Sequence, residues 1–261
     1  MNRAFITGDF HADFTRLASR KFPVAKELDR GDIVICCGDF GGIWDQTESP
    51  SEKYWLDWLE EKPYTVVFCD GNHENFDRLN NEFPIVDFYG ARAHQIRSNI
   101  FHILRGEIME FAGHTFFFMG GARSHDIDDG ILDPAAFETE EEFKRTYKEW
   151  WNAGKMFRVK GISWWEDEMP SIDDYVNAER NLAAFDNEVD FVITHCAPRV
   201  VAAHMGYKET DALTQWLEDR ILNGVAFRDW FFGHYHRNEN YDFMHCLYDD
   251  FVELNLEDDD E

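Results

Sequence analysis

A chain of 261 residues, 44% hydrophobic and 16% aromatic, has enough apolar material for a sizeable core, which excludes a disordered protein. Its 52 acidic residues against 25 basic ones give a formal net charge of -27, a surface without the basic footprint of a non-specific nucleic-acid binder. The sequence has no apolar run long enough to span a bilayer, and its opening residues carry no apolar secretory core, so a cytoplasmic protein is expected.

In chain order, residues 3–7 form a short apolar run ending in Gly8-Asp9, which predicts a strand that delivers polar groups at its C-terminal end. Helical spacing follows over 13–22, through Phe14, Leu17 and Ala18. A second apolar run, 32–37, ends in Gly38-Asp39. Residues 51–61 carry Tyr54, Trp55, Trp58 and Leu59 at helical spacing, with Ser51 as the expected N-cap. A third run, 64–69, ends in Asp70-Gly71-Asn72-His73, and 75–81 reads as a short helix. Alternation of this kind predicts an α/β fold with a largely parallel sheet, in which ligands bind beyond the carboxyl ends of the strands.

From 85 to 119 the pattern changes to short β-like runs separated by turn residues, which predict antiparallel hairpins. The stretch 123–170 is rich in charge and tryptophan, with a helix expected across 138–151, and reads as a lid or specificity insertion. Ser171 opens a helix over 171–185, with Asp174 placed for a capping box. A strand over 190–194 ends in His195, and an amphipathic helix follows over 211–222 with Thr210 as the expected cap. A strand over 229–232 ends in Gly233-His234-Tyr235-His236; 244–256 supplies final strands, and 257–261 is an acidic tail. The chain shows no repeat, linker or boundary, so one domain over 1–261 is expected. The five cysteines, Cys36, Cys37, Cys69, Cys196 and Cys246, have no zinc-binding spacing and are expected to be packed thiols in a reducing compartment.

Five segments bring Asp, Asn or His to the ends of apolar runs: Gly8-Asp9-Phe10-His11, Gly38-Asp39, Gly71-Asn72-His73-Glu74, Thr194-His195 and Gly233-His234-Tyr235-His236. Carboxylate, imidazole and amide donors suit divalent ions, and alternate residues of an extended segment can reach one centre. Each element alone occurs by chance; the ordered set does not.

The set resembles the calcineurin-like metallophosphoesterase superfamily, over the chain from Asp9 to His236. The resemblance implies a four-layer α/β/β/α sandwich with two mixed sheets and a metal site at the C-terminal ends of the strands. It implies that Asp9, His11 and His236 bind one metal, that Asn72, His195 and His234 bind another, and that Asp39 bridges them. It further implies hydrolysis of a phosphoester by a hydroxide bridging two divalent metals, with His73 as general acid or transition-state stabiliser. Manganese is the expected ion, with iron, zinc and nickel compatible with the same donors. The Ser/Thr protein phosphatase branch differs: Gly42 stands where that branch has the acid partner of the catalytic His, and Ile43 where it has a phosphate-binding Arg. Asp45 is three residues out of register for the missing acid.

Arg123 is a candidate phosphate-binding residue, with a loop arginine paired to an acid as the plainer reading, and Arg199, close in sequence to His195, is a candidate to line the pocket. Trp44, Trp164 and Trp165 are candidates to stack on an aromatic substrate, with core packing as the alternative. His125 and Asp126 read as a solvated loop, and His94, His102, His114, His204 and His245 as structural. The expected partner is a small phosphorylated substrate, nucleotide-like and ester or diester, with neither long nucleic acid nor a membrane. The alternatives are a catalytically weak scaffold that retains the fold, and a nuclease.

Overall fold

The computed structural model describes residues 2–208 and 210–256, so the acidic tail expected at 257–261 lies outside the described residues. The three N-terminal apolar runs become β1 (Ala4–Thr7), β2 (Ile33–Cys36) and β3 (Thr65–Phe68), buried at every position. Continuous runs of this kind are what a parallel strand covered on both faces requires. Between β1 and β2 the expected helix is reduced to 3-10 turns at Phe14–Leu17 and Pro23–Lys26. Pro23 disfavours helix at the residue before it. The helix α1 (Pro50–Glu60) is capped by Ser49 rather than Ser51. Glu52 N donates to Ser49 Oγ at 3.2 Å and the Glu52 carboxylate accepts from Ser49 N, which leaves Pro50 at the first helical position, where its missing N–H costs nothing.

Asn75 caps α2 (Phe76–Asn81). The predicted hairpins are β4 (Ile85–Phe88), β5 (Ala91–Arg97), β6 (Ile100–Ile103), β7 (Ile108–Phe111) and β8 (His114–Met119). They divide between two sheets, with the turn after β6 as the crossing point. Next come β9 (Gly130–Leu132), α3 (Glu140–Asn152) and β10 (Phe157–Val159), then α4 (Ile172–Ala184) with the Ser171/Asp174 capping box. After β11 (Phe191–Thr194) come α5 (Arg199–His204) and α6 (Ala212–Trp216), which runs on as a π-helical turn over Leu217–Leu222. Asp211, not Thr210, caps α6, its Oδ1 accepting from Thr214 N at 2.7 Å. The chain finishes with β12 (Asp229–Phe232), β13 (Glu239–Tyr241), β14 (Met244–Cys246) and β15 (Phe251–Glu253).

One mixed sheet has the order β15-β1-β2-β3-β6-β5-β4 and the other β13-β14-β12-β11-β8-β7, with β9 and β10 as a separate parallel pair. Side-chain alternation builds the layers. Ile6, Ile35, Val67, Phe116, Phe118, Ile193 and Phe231 pack into one core between the sheets. Phe5, Val34, Val66 and Phe68 point the other way, onto Leu56 and Leu59 of α1. On the second sheet Phe117, Val192, Trp230 and Phe232 face Ala178 and Leu182 of α4 and Leu213 of α6. The result is helices, sheet, sheet, helices. No helix of the described residues is long and apolar enough to cross a membrane.

Candidate metal centre

Five parallel strands, three in one sheet and two in the other, end at the same edge. After β1 come Asp9 and His11, after β2 Asp39, and after β3 Asn72 and His73; His195 follows β11, and His234 and His236 follow β12. The backbone then turns sharply. His11, Asp39, His234 and His236 all have positive φ, between 45° and 69°, a region that non-glycine residues rarely occupy and that clusters at functional sites. Two glycines let the strands close together. A Cβ on Gly71 would fall onto Asp39 Oδ1 and within 2.7 Å of His195 Nε2, and one on Gly233 would fall onto Asp9 Oδ1.

The side chains form three adjoining groups, each with ligand atoms within 4.8 Å of one another: Asp9, His11 and His236; His11, Asp39 and His73; and Asp39, His195 and His234. His236 Nε2 is 3.3 Å from Asp9 Oδ2 and 2.9 Å from His11 Nε2. The Asp39 carboxylate spans the groups: Oδ2 lies 3.6 Å from His11 Nε2 and Oδ1 3.3 Å from His195 Nε2. Asp9 and Asp39 are each 1% exposed and His195 is fully buried.

Burial alone would raise the Asp39 pKa, but the charge and hydrogen bond of His195 outweigh it and hold the carboxyl well below the usual range. His195 responds in kind: burial opposes its charge, yet Asp39 and Asp9 push it up to about 9. His234, buried among other imidazoles, is driven well below its ordinary value. Burial, only partly opposed by Asp39, pulls His73 down to about 4. Two buried carboxylates thus draw positive charge to the centre, raising His195 and His236, while burial holds His11, His73 and His234 below their ordinary values.

Among the side chains expected to bind metal, two buried atoms lack a hydrogen-bond partner, Asn72 Oδ1 and His195 Nε2. A buried polar atom left unmade is costly, and both are metal-donor atoms. Their other ends are fixed. His195 Nδ1 faces the Cys37 carbonyl at 2.7 Å, which holds a proton there and leaves Nε2 as the atom that would turn to a metal on losing its own proton. Asn72 Nδ2 donates to Ser124 Oγ at 3.3 Å, and Ser124 Oγ donates to Glu168 Oε2 at 2.6 Å, which aims Oδ1 inward. The donor set fits divalent ions.

The candidates outside the motifs separate. Arg199 hydrogen-bonds Glu218 through Nε and Nη2, at 3.2 and 2.7 Å, on the exposed face where α5 begins. Exposed Arg123 lines a small cavity together with His125 and His234. His125 lies against His234 in a tilted pair with ring centroids 4.4 Å apart, and Asp126 holds Arg158, so both belong to the edge of the centre rather than to a free loop. Trp44 stacks beside His73 at 5.7 Å and meets Trp165 edge-on at the same distance. Arg158 itself, 3.1 Å from His73 Nε2, carried no signal in the sequence, because a lone Arg in a β-like run has no motif.

A search of the curated proteins gave no match. The family described as "Calcineurin-like phosphoesterase" matches residues 3–238, a span that holds every one of the converging side chains, and its chemistry is metal-dependent hydrolysis of phosphoesters. The chain belongs to the calcineurin-like phosphoesterase family.

Proposed function

We propose that the protein hydrolyses a small phosphoester at a dinuclear centre. Asp9, His11 and His236 would hold one divalent ion, Asn72, His195 and His234 the second, with Asp39 shared between them. The observation that carries this reading is the Asp39 carboxylate, whose two oxygens face different imidazole groups, His11 on one side and His195 on the other. Divalent ions bound there supply positive charge for phosphate oxygens and make a water acidic enough to ionise near neutral pH. Manganese is the ion to test first; iron, zinc or nickel suit the same donors.

His73 acts as a stabiliser of developing charge. A guanidinium has no acceptor, so with Arg158 Nη2 at 3.1 Å the His73 Nε2 accepts, and its proton sits on Nδ1. Beside His73 opens a cavity of about 300 Å³ lined by Phe14, Trp44, Trp55, His11 and Ser49. Its size and aromatic walls suit a planar leaving group such as a nucleoside. The 123–170 segment acts as the specificity insertion, since it brings Arg123, His125 and Arg158 to the rim. Five buried free thiols support a reducing compartment such as the cytoplasm.

The test compares p-nitrophenyl phosphate and bis-p-nitrophenyl phosphate, with Mn²⁺ or chelator, for wild type and Asp39→Asn. Turnover should require the metal. It should fall in Asp39→Asn by more than the ~10–100-fold typical of an outer-shell partner. Turnover that survives chelation and substitution alike rules the reading out.

A further inference from the structure

The loop that follows β2, Gly38-Asp39-Phe40-Gly41-Gly42-Ile43, contains no cationic side chain for a phosphate. A cation arrives from another element. Arg158 lies in β10 and is 9% exposed. Its Nη2 donates to His73 Nε2 at 3.1 Å, its Nε to Asp126 Oδ1 at 2.6 Å and its Nη1 to the Ser163 carbonyl at 3.0 Å.

The platform beneath it is braced. β10 pairs with β9, and Val159 N donates to Ser163 Oγ at 2.9 Å, which fixes the turn that holds Nη1. Gln46 Nε2 donates to the Gly161 carbonyl at 2.7 Å, and Trp165 Nε1 to Asp77 Oδ2 at 2.8 Å. These two bonds fasten the insertion to the loop after β2 and to α2, on the His73 side of the centre.

A guanidinium has five N–H donors in a planar fork. Three are directed at Asp126, Ser163 and His73, which leaves one on each terminal nitrogen. A neutral imidazole is the weakest of the three acceptors. A phosphoryl oxygen at the His73 edge would form a charge-assisted bond that is stronger than the one it displaces.

We propose that Arg158 is a phosphate clamp that selects a terminal, dianionic phosphoryl group, so that the substrate class is phosphomonoesters rather than diesters. The proposal rests on the phosphoesterase reading above and sharpens it. A terminal phosphoryl group presents its free oxygens to a planar fork, whereas a diester's second arm removes one of them and one of the charges. In a chain of net charge -27, a dianion depends on local positive charge, and Arg158 supplies it where the ester must lie.

The experiment titrates methyl phosphate and dimethyl phosphate into the Mn²⁺-loaded protein by calorimetry, for wild type, Arg158→Met and Arg158→Lys. Metal content and melting temperature are measured alongside. The expected result is a loss of methyl phosphate affinity of about 10–100-fold in Arg158→Met, the size of a charge-assisted pair. Dimethyl phosphate affinity should change by less than about 3-fold, and Arg158→Lys should recover part of the loss because it keeps the charge without the fork. Equal losses for both ligands overturn the proposal. So do unchanged methyl phosphate binding, a loss that tracks lost manganese, and a wild type that binds neither ligand. Arg158-dependent binding without hydrolysis of either p-nitrophenyl ester upholds the clamp and sinks the hydrolytic reading. Hydrolysis and binding untouched by Arg158→Met do the reverse.

Discussion

His11, Asp39, His234 and His236 occupy left-handed backbone that costs a non-glycine residue on the order of 1–3 kcal/mol. Specific hydrogen bonds hold His11, Asp39 and His234 there. His11 N donates to the Asp39 carbonyl at 2.8 Å, His73 N to Asp39 Oδ1 at 2.8 Å, and His234 N to Asp9 Oδ1 at 2.9 Å. Behind Asp39, Phe40 N donates to Glu74 Oε1 at 2.7 Å. Burial, then the charges of Asp39 and Asp70, raise the Glu74 carboxyl well above its ordinary range, which favours its neutral form. Glu74→Gln should therefore change stability by less than about 1 kcal/mol, whereas Glu74→Ala orphans the Phe40 amide at about 1–3 kcal/mol. Urea melts of the two variants check this, and equal losses would refute it. Gly71→Ala places a methyl on Asp39 and His195. It should cost about 1–3 kcal/mol and lower bound manganese per chain, read by elemental analysis.

Elements matter through where they end. The two flanks of the 123–170 segment meet at Ser124 and Glu168, and through Ser124 they orient Asn72. Burial raises the Glu168 carboxyl even though Ser124 donates to it twice. Ser124→Ala removes the acceptor for Asn72 Nδ2 and should weaken manganese binding by ~10–100-fold, with the melting temperature of the chelated protein nearly unchanged. Competition with a fluorescent chelator measures it, and unaltered affinity would remove Ser124 from the positioning role. By contrast, α3 in the same segment buries none of its residues and leaves Trp151 exposed, so it contributes little to the core.

At the scale of the molecule, a buried polar network ties the two sheets. Asp70, at the end of β3, accepts from Arg105 Nε at 2.9 Å and faces His102 Nε2 at 3.1 Å, and His102 Nδ1 faces His94 Nδ1 at 3.1 Å. Gly121 N, just past β8, donates to the Asp70 carbonyl at 2.9 Å. Burial lowers His94 to about 4, against an ordinary 6.5. Below pH 6.5 the unfolded chain takes a proton that the folded chain refuses. The His94 contribution is thus complete above pH 6.5 and drains as pH falls toward 4, on the order of 3 kcal/mol at most. Asp70 acts next. Burial opposes its charge, but Arg105 and His102 outweigh burial and depress its pKa, so its stabilisation is present above 3.8 and lost at more acid pH. The urea midpoint should fall steadily from pH 7 to 4, and His94→Gln should flatten that slope. A flat wild-type profile would contradict the assignment. Manganese at 100 times its dissociation constant should add about 2.7 kcal/mol to the wild type, and much less to Asp39→Asn.

The sequence by itself determined the parts whose physics is local. The buried strands were legible as continuous apolar runs, the helix starts as capping residues to within two positions, and Asp9, Asp39, Asn72, His195, His234 and His236 as polar groups at strand ends. Tertiary structure decided what depends on distant pairing. The divorce of β6 from β7 into different sheets follows from which faces pack, and no run of residues records it. Nor does spacing place Asp126 beside Arg158, or Arg158 beside His73, since the last two stand 85 positions apart and meet only when the 123–170 segment folds back over the first sheet. Periodicity reports which way a side chain points along its own element; only packing decides what it meets there.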